Sequence, residues 1–280
     1  MSRFLWAFAS VLLLCPAGWG HEPAAPRREP RLHKTSTKHY TILSDLDRAE
    51  RRTVARFVEA MHRTYREVFR AEPVRTVPRP TVRVYRNRED YAAYCLSQDP
   101  DWTGNARGMF FHDPNTLASY RGRKLEDCLS VLSHEGFHQF SLQYFSPANS
   151  ERPPHWLEEG LGDYFRSQTV RSGRLVHQIK GYHFRRVKHS LRERRAWSLA
   201  EIWSCDPSEI EDPAAFEIFY SYAYAMVAYL ADVSPQTLKR AFRLKRRGLD
   251  NDALLDRLVP QSKRRRFYES FLAWVDKQPG

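Results

Sequence analysis

The sequence predicts an α+β fold, in which a small β-sheet and a helix containing the stretch SHEGFHQF are followed by a mainly helical half. Short runs that alternate apolar and polar residues, which are typical of strands, occur only before about residue 120. Beyond about residue 175, apolar residues recur at helical spacing. A chain of 280 residues with 42% hydrophobic and 13% aromatic side chains is long and apolar enough to bury a core.

Residues 1–20 have the composition of a signal peptide. Arg3 precedes an apolar run at residues 4–15, and PAGWG then supplies small residues before a cleavage point. The alternative is an uncleaved membrane anchor, but the run is shorter than the about 20 apolar residues that a spanning helix needs. We therefore expect an exported protein, periplasmic or extracellular, and interpret the Pro- and Arg-rich residues 21–38 as a flexible linker.

The remaining chain is expected to divide into residues 39–147, an α/β half with the motif helix, and residues 148–280, a helical half. The first elements predicted are a strand at HYTILSD, a helix from about residue 46 to 69, a strand at PTVRVY, a short helix at REDYAAYCLS and a hairpin at GMFFHDPNTLASY. The helix at 46–69 has apolar residues at helical spacing: Val54, Phe57, Val58, Met61, Tyr65, Val68 and Phe69.

The stretch from Lys124 to about Phe145 lacks proline and has apolar residues along one stripe, which predicts a helix. SPANSERPP then has the composition of a loop, and HWLEEGLGDYFRS predicts a second helix. Everything after about residue 175 is predicted to be helical and basic.

The chain is strongly basic, with a formal net charge of +12. An anionic envelope surface is therefore one expected partner. Specific nucleic-acid binding is not expected, because the basic runs have helical period and no motif with interleaved stacking aromatics is present. The cysteines after the leader are Cys95, Cys128 and Cys205, which allow at most one internal disulfide of undetermined pairing.

His134 and His138 within SHEGFHQF have the spacing of a zinc site. Residues four apart on a helix differ by about 40° in azimuth, so both imidazoles can bind one ion. Glu135 lies about 100° round the helix from His134, where it could accept a proton from a bound water. A catalytic zinc needs three protein ligands and an open position, so a third ligand is required.

The third ligand is expected in PPHWLEEGLGDYF, because antiparallel packing of two helices would return the start of the second helix to the motif. Glu158 and Glu159 are adjacent there, and we expect only one of them to face inward. Glu159 lies three residues after Trp156 and four before Asp163, whereas Glu158 lies opposite that apolar face. We favour Glu159.

HEGFH followed by WLEEGLGDYF resembles the gluzincins, zincin-like metallopeptidases whose second helix supplies the third zinc ligand as the glutamate before a glycine. The likeness, closest to uncharacterised secreted peptidase-like members, extends in outline over residues 39–275 and is specific from His134 to Phe165. Gly162 stands where alanine is more usual, and the spacing from the second histidine to the glutamate is longer than in the best-known members.

The resemblance implies Zn²⁺ bound by His134, His138 and Glu159, with Glu135 as general base in peptide hydrolysis. It also matches Asp163 to an acidic residue that hydrogen-bonds the first ligand histidine, although Asp163 could instead be a helix-surface acid.

Tyr220 lies in the aromatic stretch YSYAYAMVAYL, where related enzymes often have a tyrosine that stabilises the oxyanion. Core packing is the other interpretation of Tyr220, and the sequence favours it. We interpret His112, His155 and His183 as ordinary polar histidines.

The function that these patterns favour is a secreted zinc metallopeptidase that acts on a peptide or protein substrate. One alternative is a catalytically silent, peptidase-like binding protein of the cell envelope, which the intact Glu135 disfavours. Another is a basic module that binds the envelope or nucleic acid. The lack of a nucleic-acid-binding motif in the sequence disfavours it. The sequence does not specify the oligomeric state.

Overall fold

The structure is a computed structural model that describes residues 30–171 and 174–280. The predicted signal peptide and the first part of the predicted linker lie outside the described residues. The strands are β1 (His33–Ser36), β2 (Thr41–Ser44), β3 (Thr81–Tyr85), β4 (Gly108–Phe111), β5 (Thr116–Tyr120), β6 (Gln168–Arg171) and β7 (Arg174–His177). The helices are α1 (Arg48–Phe69), α2 (Arg88–Gln98), α3 (Leu125–Phe145), α4 (His155–Arg166), α5 (Gly181–Arg192), α6 (Leu199–Ser204), α7 (Pro213–Val233), α8 (Pro235–Lys245), α9 (Asn251–Leu258) and α10 (Gln261–Asp276).

These elements form two compact units. Of the described residues, the first unit contains those up to His62 together with Val77–Gly136, and the second contains those in Arg63–Thr76 and Phe137–Gly280. The mixture of one main sheet with many helices confirms the predicted α+β class.

The first unit is built on a five-stranded mixed sheet with the order β1-β2-β3-β5-β4. The β1–β2 and β4–β5 pairs are antiparallel, whereas the three inner strands β2, β3 and β5 run parallel to one another. The predicted hairpin at GMFFHDPNTLASY is the β4–β5 pair, in which Met109 is paired with Ala118. β4 is an end strand of the sheet, and all four of its residues are buried.

Helices cover both faces of this sheet. On one face, Met109 and Ala118 belong to an apolar cluster with Tyr91 and Cys95 of α2. On the other face, Gly108 lies against Val131 of α3, because a methyl group at position 108 would stand 2.2 Å from Val131 Cγ1. The alternation of side chains along β4 therefore places α2 and α3 on opposite sides of the sheet.

The second unit is mainly helical. Residues 219–230 of α7 are all buried, and α4 and α5 pack against this helix. The contact between α4 and α7 is close at Gly160, where a methyl group would lie only 2.3 Å from the carbonyl oxygen of Ala223. Glycine at this position lets the two helix backbones approach each other.

Three local features differ from the sequence expectations. β1 falls within the predicted linker and pairs with β2, although its residues are polar and largely exposed. The β6–β7 hairpin differs from the expectation of helix after about residue 175, and its strands, QTVR and RLVH, have only four residues each, too few to show an alternating pattern. Val68, which shares the apolar spacing of α1, is 42% exposed and lies off the buried face of that helix, whereas the ring of Phe69 next to it contacts Phe242 at a centroid distance of 4.5 Å. Among the described residues, no helix has the length and hydropathy needed to cross a bilayer.

Candidate metal centre

Two of the predicted ligands, His134 and His138, lie one turn apart on α3 and are fully buried. Glu126 and Asp127 in the first turn of this helix interact favourably with its dipole. Gly136, between the histidines, lies against Met61, since a methyl group there would stand 2.5 Å from the end of that flexible side chain. The turn of α3 that carries the two histidines is therefore packed against α1.

The far end of α3 is held by donors from distant segments. The backbone N–H of Val74 donates to the carbonyl of Gln143 at 2.9 Å, and Arg246 Nη1 donates to the carbonyl of Tyr144 at 3.2 Å. Carbonyl groups at a helix C-terminus lack intrahelical partners, so these contacts stabilise the last turn of α3.

Glu159 on α4 completes the predicted ligand set. It is 1% exposed, and its Oε1 lies 3.6 Å from His138 Nε2. One potential ligand atom from each of His134, His138 and Glu159 lies within 4.8 Å of the other two, and this is the one such group of three or more among the residues described. Two imidazoles and a carboxylate at this separation can hold a metal ion, although the cluster does not show which metal.

Glu135 is fully buried, and neither of its carboxylate oxygens has a hydrogen-bond partner among the described residues. Its Cγ would stand 3.3 Å from a methyl group at position 108, so this side chain lies beside strand β4. Burial of a carboxylate without hydrogen bonds is costly, and such a group usually serves a function. A carboxylate with free oxygens beside a metal cluster can accept a proton.

Glu158, which we expected to lie opposite the apolar face of α4, is also buried, with 1% exposure. That expectation was wrong because α4 has protein on more than one side. Ser141 Oγ of α3 donates to Glu158 Oε1 at 2.5 Å, and Arg152 Nη2 lies 3.2 Å from Glu158 Oε2. The two adjacent glutamates therefore have different environments.

Asp163 is 3% exposed and is therefore not a helix-surface acid. Its Oδ2 lies 3.8 Å from His183 Nε2, and its Oδ1 lies 3.7 Å from Arg166 Nη1. The proposed bond from His134 to Asp163 stays a prediction. His183 had no distinguishing signal in the sequence, because its proximity to Asp163 arises from the packing of α5.

Burial lowers the pKa of His183 to about 4, even though the nearby Asp163 acts in the opposite direction. A histidine in an unfolded chain titrates near 6.5. The folded protein therefore prefers His183 neutral, and the stability that depends on this is fully present above pH 6.5 and is lost as the pH falls towards about 4.

Tyr220 is 5% exposed and contacts the rings of Phe216 and Phe219 at centroid distances of 4.8 and 5.5 Å. Its role towards an oxyanion stays a prediction. The other two histidines do not belong to the buried group: His112 is exposed, and His155 Nε2 lies 3.7 Å from Asp206 Oδ2.

Cys95, Cys128 and Cys205 are free thiols, and burial raises the pKa of each to about 12. They therefore carry little thiolate at neutral pH, and none belongs to the His-His-Glu group.

Residues 128–248 match a protein family described as Protein of unknown function (DUF1570). The match covers less than half of the chain but includes all three residues of the His-His-Glu group. A search of curated proteins gave no match. The fold and the site therefore define an α+β protein with a buried His-His-Glu group able to hold a metal ion, similar over these residues to that family.

Proposed function

We propose that this protein is an exported zinc metallopeptidase of gluzincin type, with His134, His138 and Glu159 as ligands and Glu135 as general base. The observation that carries the proposal is the buried group of two imidazoles and one carboxylate, together with Glu135 beside His134 in the sequence. Glu135 is also buried, and its carboxylate oxygens have no hydrogen-bond partner among the described residues. A site that only held a structural metal would not require Glu135 in this state.

The donor set fits zinc. Three protein ligands of these types are characteristic of catalytic zinc sites, whereas structural zinc sites are usually closed by four ligands. When bound, a zinc ion supplies Lewis acidity, which lowers the pKa of a water molecule to about 7 and polarises a carbonyl group.

The chain's own residues would then move the proton. Glu135 accepts it from the water as the oxygen attacks the peptide carbonyl, and later delivers it to the nitrogen of the leaving amine. Strand β4 is the candidate strand for binding a peptide substrate, because it ends the sheet and lies beside Glu135, although its four residues are buried and its edge would have to become accessible. An extended peptide that pairs with such a strand would present its main chain to this carboxylate. Tyr220 is the candidate donor to the oxyanion, and Asp163 is the candidate residue that orients His134.

The proposed location and partners follow from other parts of the chain. Residues 1–20 support export, and the net charge of +12 supports association with an anionic envelope surface. Several basic side chains in the C-terminal half are exposed, including Arg192, Arg194, Arg195, Lys263, Arg265 and Arg266.

The test compares metal content, measured by mass spectrometry, with cleavage of a mixed peptide library for the wild type and two variants. His138→Ala should lose zinc, since a two-ligand site rarely retains it. Glu135→Gln should keep near-stoichiometric zinc but lose at least ~10²-fold in hydrolysis through loss of the general base. The exposed Glu269→Gln serves as a control and should change neither quantity.

Three results would contradict the proposal in different ways. A wild-type protein with zinc but no cleavage of any peptide would favour the silent binding protein. A wild-type protein without zinc would remove the metal site. A Glu135→Gln variant with full activity would remove the general base.

A further inference from the structure

Glu158 is a buried carboxylate that the proposed mechanism does not use. It accepts a hydrogen bond of 2.5 Å from Ser141 Oγ, and its other oxygen lies 3.2 Å from Arg152 Nη2. Both Ser141 and Glu158 are at most 1% exposed. Loss of either partner would leave a buried carboxylate unpaired, and the free-energy cost of that state maintains the contact.

The position of this contact relates it to the metal ligands. Ser141 follows His138 by three residues on α3, and Glu158 immediately precedes Glu159 on α4. Each partner therefore lies within one helical turn of a ligand. Because a helix is stiff over one turn, the bond between Ser141 and Glu158 constrains the separation of His138 and Glu159.

Arg152 extends this constraint to the connection between the two helices. It lies between the end of α3 at Phe145 and the start of α4 at His155, and it pairs with Glu158 of α4. The carboxylate of Glu158 thus joins α3, the connecting loop and α4 at one point.

We propose that Glu158 is a positioning residue that sets the distance between the two ligand-bearing helices, and hence the affinity of the site for metal. The inference rests on the metal site of the proposed function but not on peptidase activity. Glu158 itself is not a ligand, because both of its oxygens are directed to Ser141 and Arg152. Residues that hydrogen-bond metal ligands commonly change metal affinity by about 10–100-fold when replaced, and we expect Glu158, which acts through the helices, to have an effect up to that size.

The test measures the zinc dissociation constant of the full chain by competition with a chromophoric chelator. Ser141→Ala and Glu158→Ala should weaken zinc binding by ~10–100-fold. Glu158→Gln keeps an acceptor for Ser141 and should recover part of that loss. The visible absorption of the cobalt-substituted protein should change in intensity in the two alanine variants, because it reports ligand geometry.

Ser190→Ala is the matched control. Ser190 is also a buried helical serine, 2% exposed, and its hydroxyl contacts Tyr222 OH at 3.0 Å and the Val187 carbonyl at 2.8 Å, neither of which is on α3 or α4. Loss of the Ser190 hydroxyl should lower the melting temperature of the metal-free protein but leave the zinc dissociation constant unchanged.

The outcomes separate this inference from the peptidase proposal. If Ser141→Ala and Glu158→Ala lower the melting temperature but bind zinc like the wild type, Glu158 has only a structural role and the inference fails. If Glu158→Ala does not fold, Ser141→Ala alone decides. If the wild type binds zinc and cleaves nothing while Ser141→Ala weakens zinc binding, the inference stands and peptidase activity does not. A wild type that binds no zinc overturns both.

Discussion

Replacement of Gly160 by alanine should destabilise the protein, although alanine is the better helix former. In an open helix, the exchange of glycine for alanine stabilises by about 1 kcal/mol. At position 160, however, the added methyl group would lie 2.3 Å from the carbonyl oxygen of Ala223, 2.7 Å from its carbonyl carbon and 2.8 Å from Val227 Cγ2. Since non-bonded carbon atoms favour about 3.5–4.0 Å, α4 and α7 would have to separate by about 1 Å.

The size of the effect follows from what the methyl group meets. Overpacking of a core typically costs about 1–3 kcal/mol, and the cost is highest where the obstacle is backbone, which cannot change rotamer. The upper end of this range, about 3 kcal/mol, minus the gain of about 1 kcal/mol in helix propensity leaves a net loss of about 2 kcal/mol in the free energy of unfolding.

Gly136→Ala is the matched comparison for Gly160→Ala. Position 136 also lies inside a helix and also has a close neighbour, but the neighbour is the end of the Met61 side chain at 2.5 Å. Because that side chain can move, we expect Gly136→Ala to change the free energy of unfolding by less than about 1 kcal/mol. Urea denaturation of the metal-free proteins, followed by circular dichroism, measures both variants. Equal stability of Gly160→Ala and the wild type would refute the close backbone contact.

Three further predictions concern other parts of the chain. Tyr220→Phe should lower kcat by ~10²-fold with KM unchanged if its phenol stabilises the oxyanion, and unchanged kcat in steady-state assays would assign it to the core. His183→Gln should reduce the loss of stability between pH 6.5 and about 4, because the variant cannot take up the proton that the fold disfavours. Identical slopes of unfolding free energy against pH would contradict this. The exported protein should begin at or near His21, and N-terminal sequencing that finds Met1 would overturn the predicted cleavage.

The helices that carry the cluster could be predicted because their signals are local. Residues from Lys124 to Phe145 lack proline and have apolar residues along one stripe, and the structure has α3 at Leu125–Phe145. The prolines before His155 end the connecting loop, and α4 begins at that residue. The four-residue spacing of the motif then determines that two imidazoles share a face, whatever the rest of the chain does.

Other features depend on partners distant in sequence. β1 has no apolar alternation, and only its pairing with β2 defines it as a strand. The periodicity of α4 alone predicts that Glu158 lies opposite the apolar face, although the residue is buried. Its burial depends on Ser141 and Arg152, and no pattern within α4 contains that information.

The environment of Glu135 gives the last prediction, which concerns stability rather than turnover. A buried carboxylate without hydrogen bonds destabilises the fold by about 1–3 kcal/mol or more, and Glu135 has no such bond among the described residues. In the metal-free protein, Glu135→Gln should therefore be at least as stable as the wild type, because the amide has the same shape and replaces a group that already lacks hydrogen bonds. Addition of zinc should stabilise the wild type more than the variant, since only the wild type gains an attraction between the cation and the carboxylate. Thermal melts of both proteins with and without zinc measure this difference. A metal-free variant clearly less stable than the wild type would mean that Glu135 contributes to the fold, and its buried carboxylate would then no longer support a catalytic role.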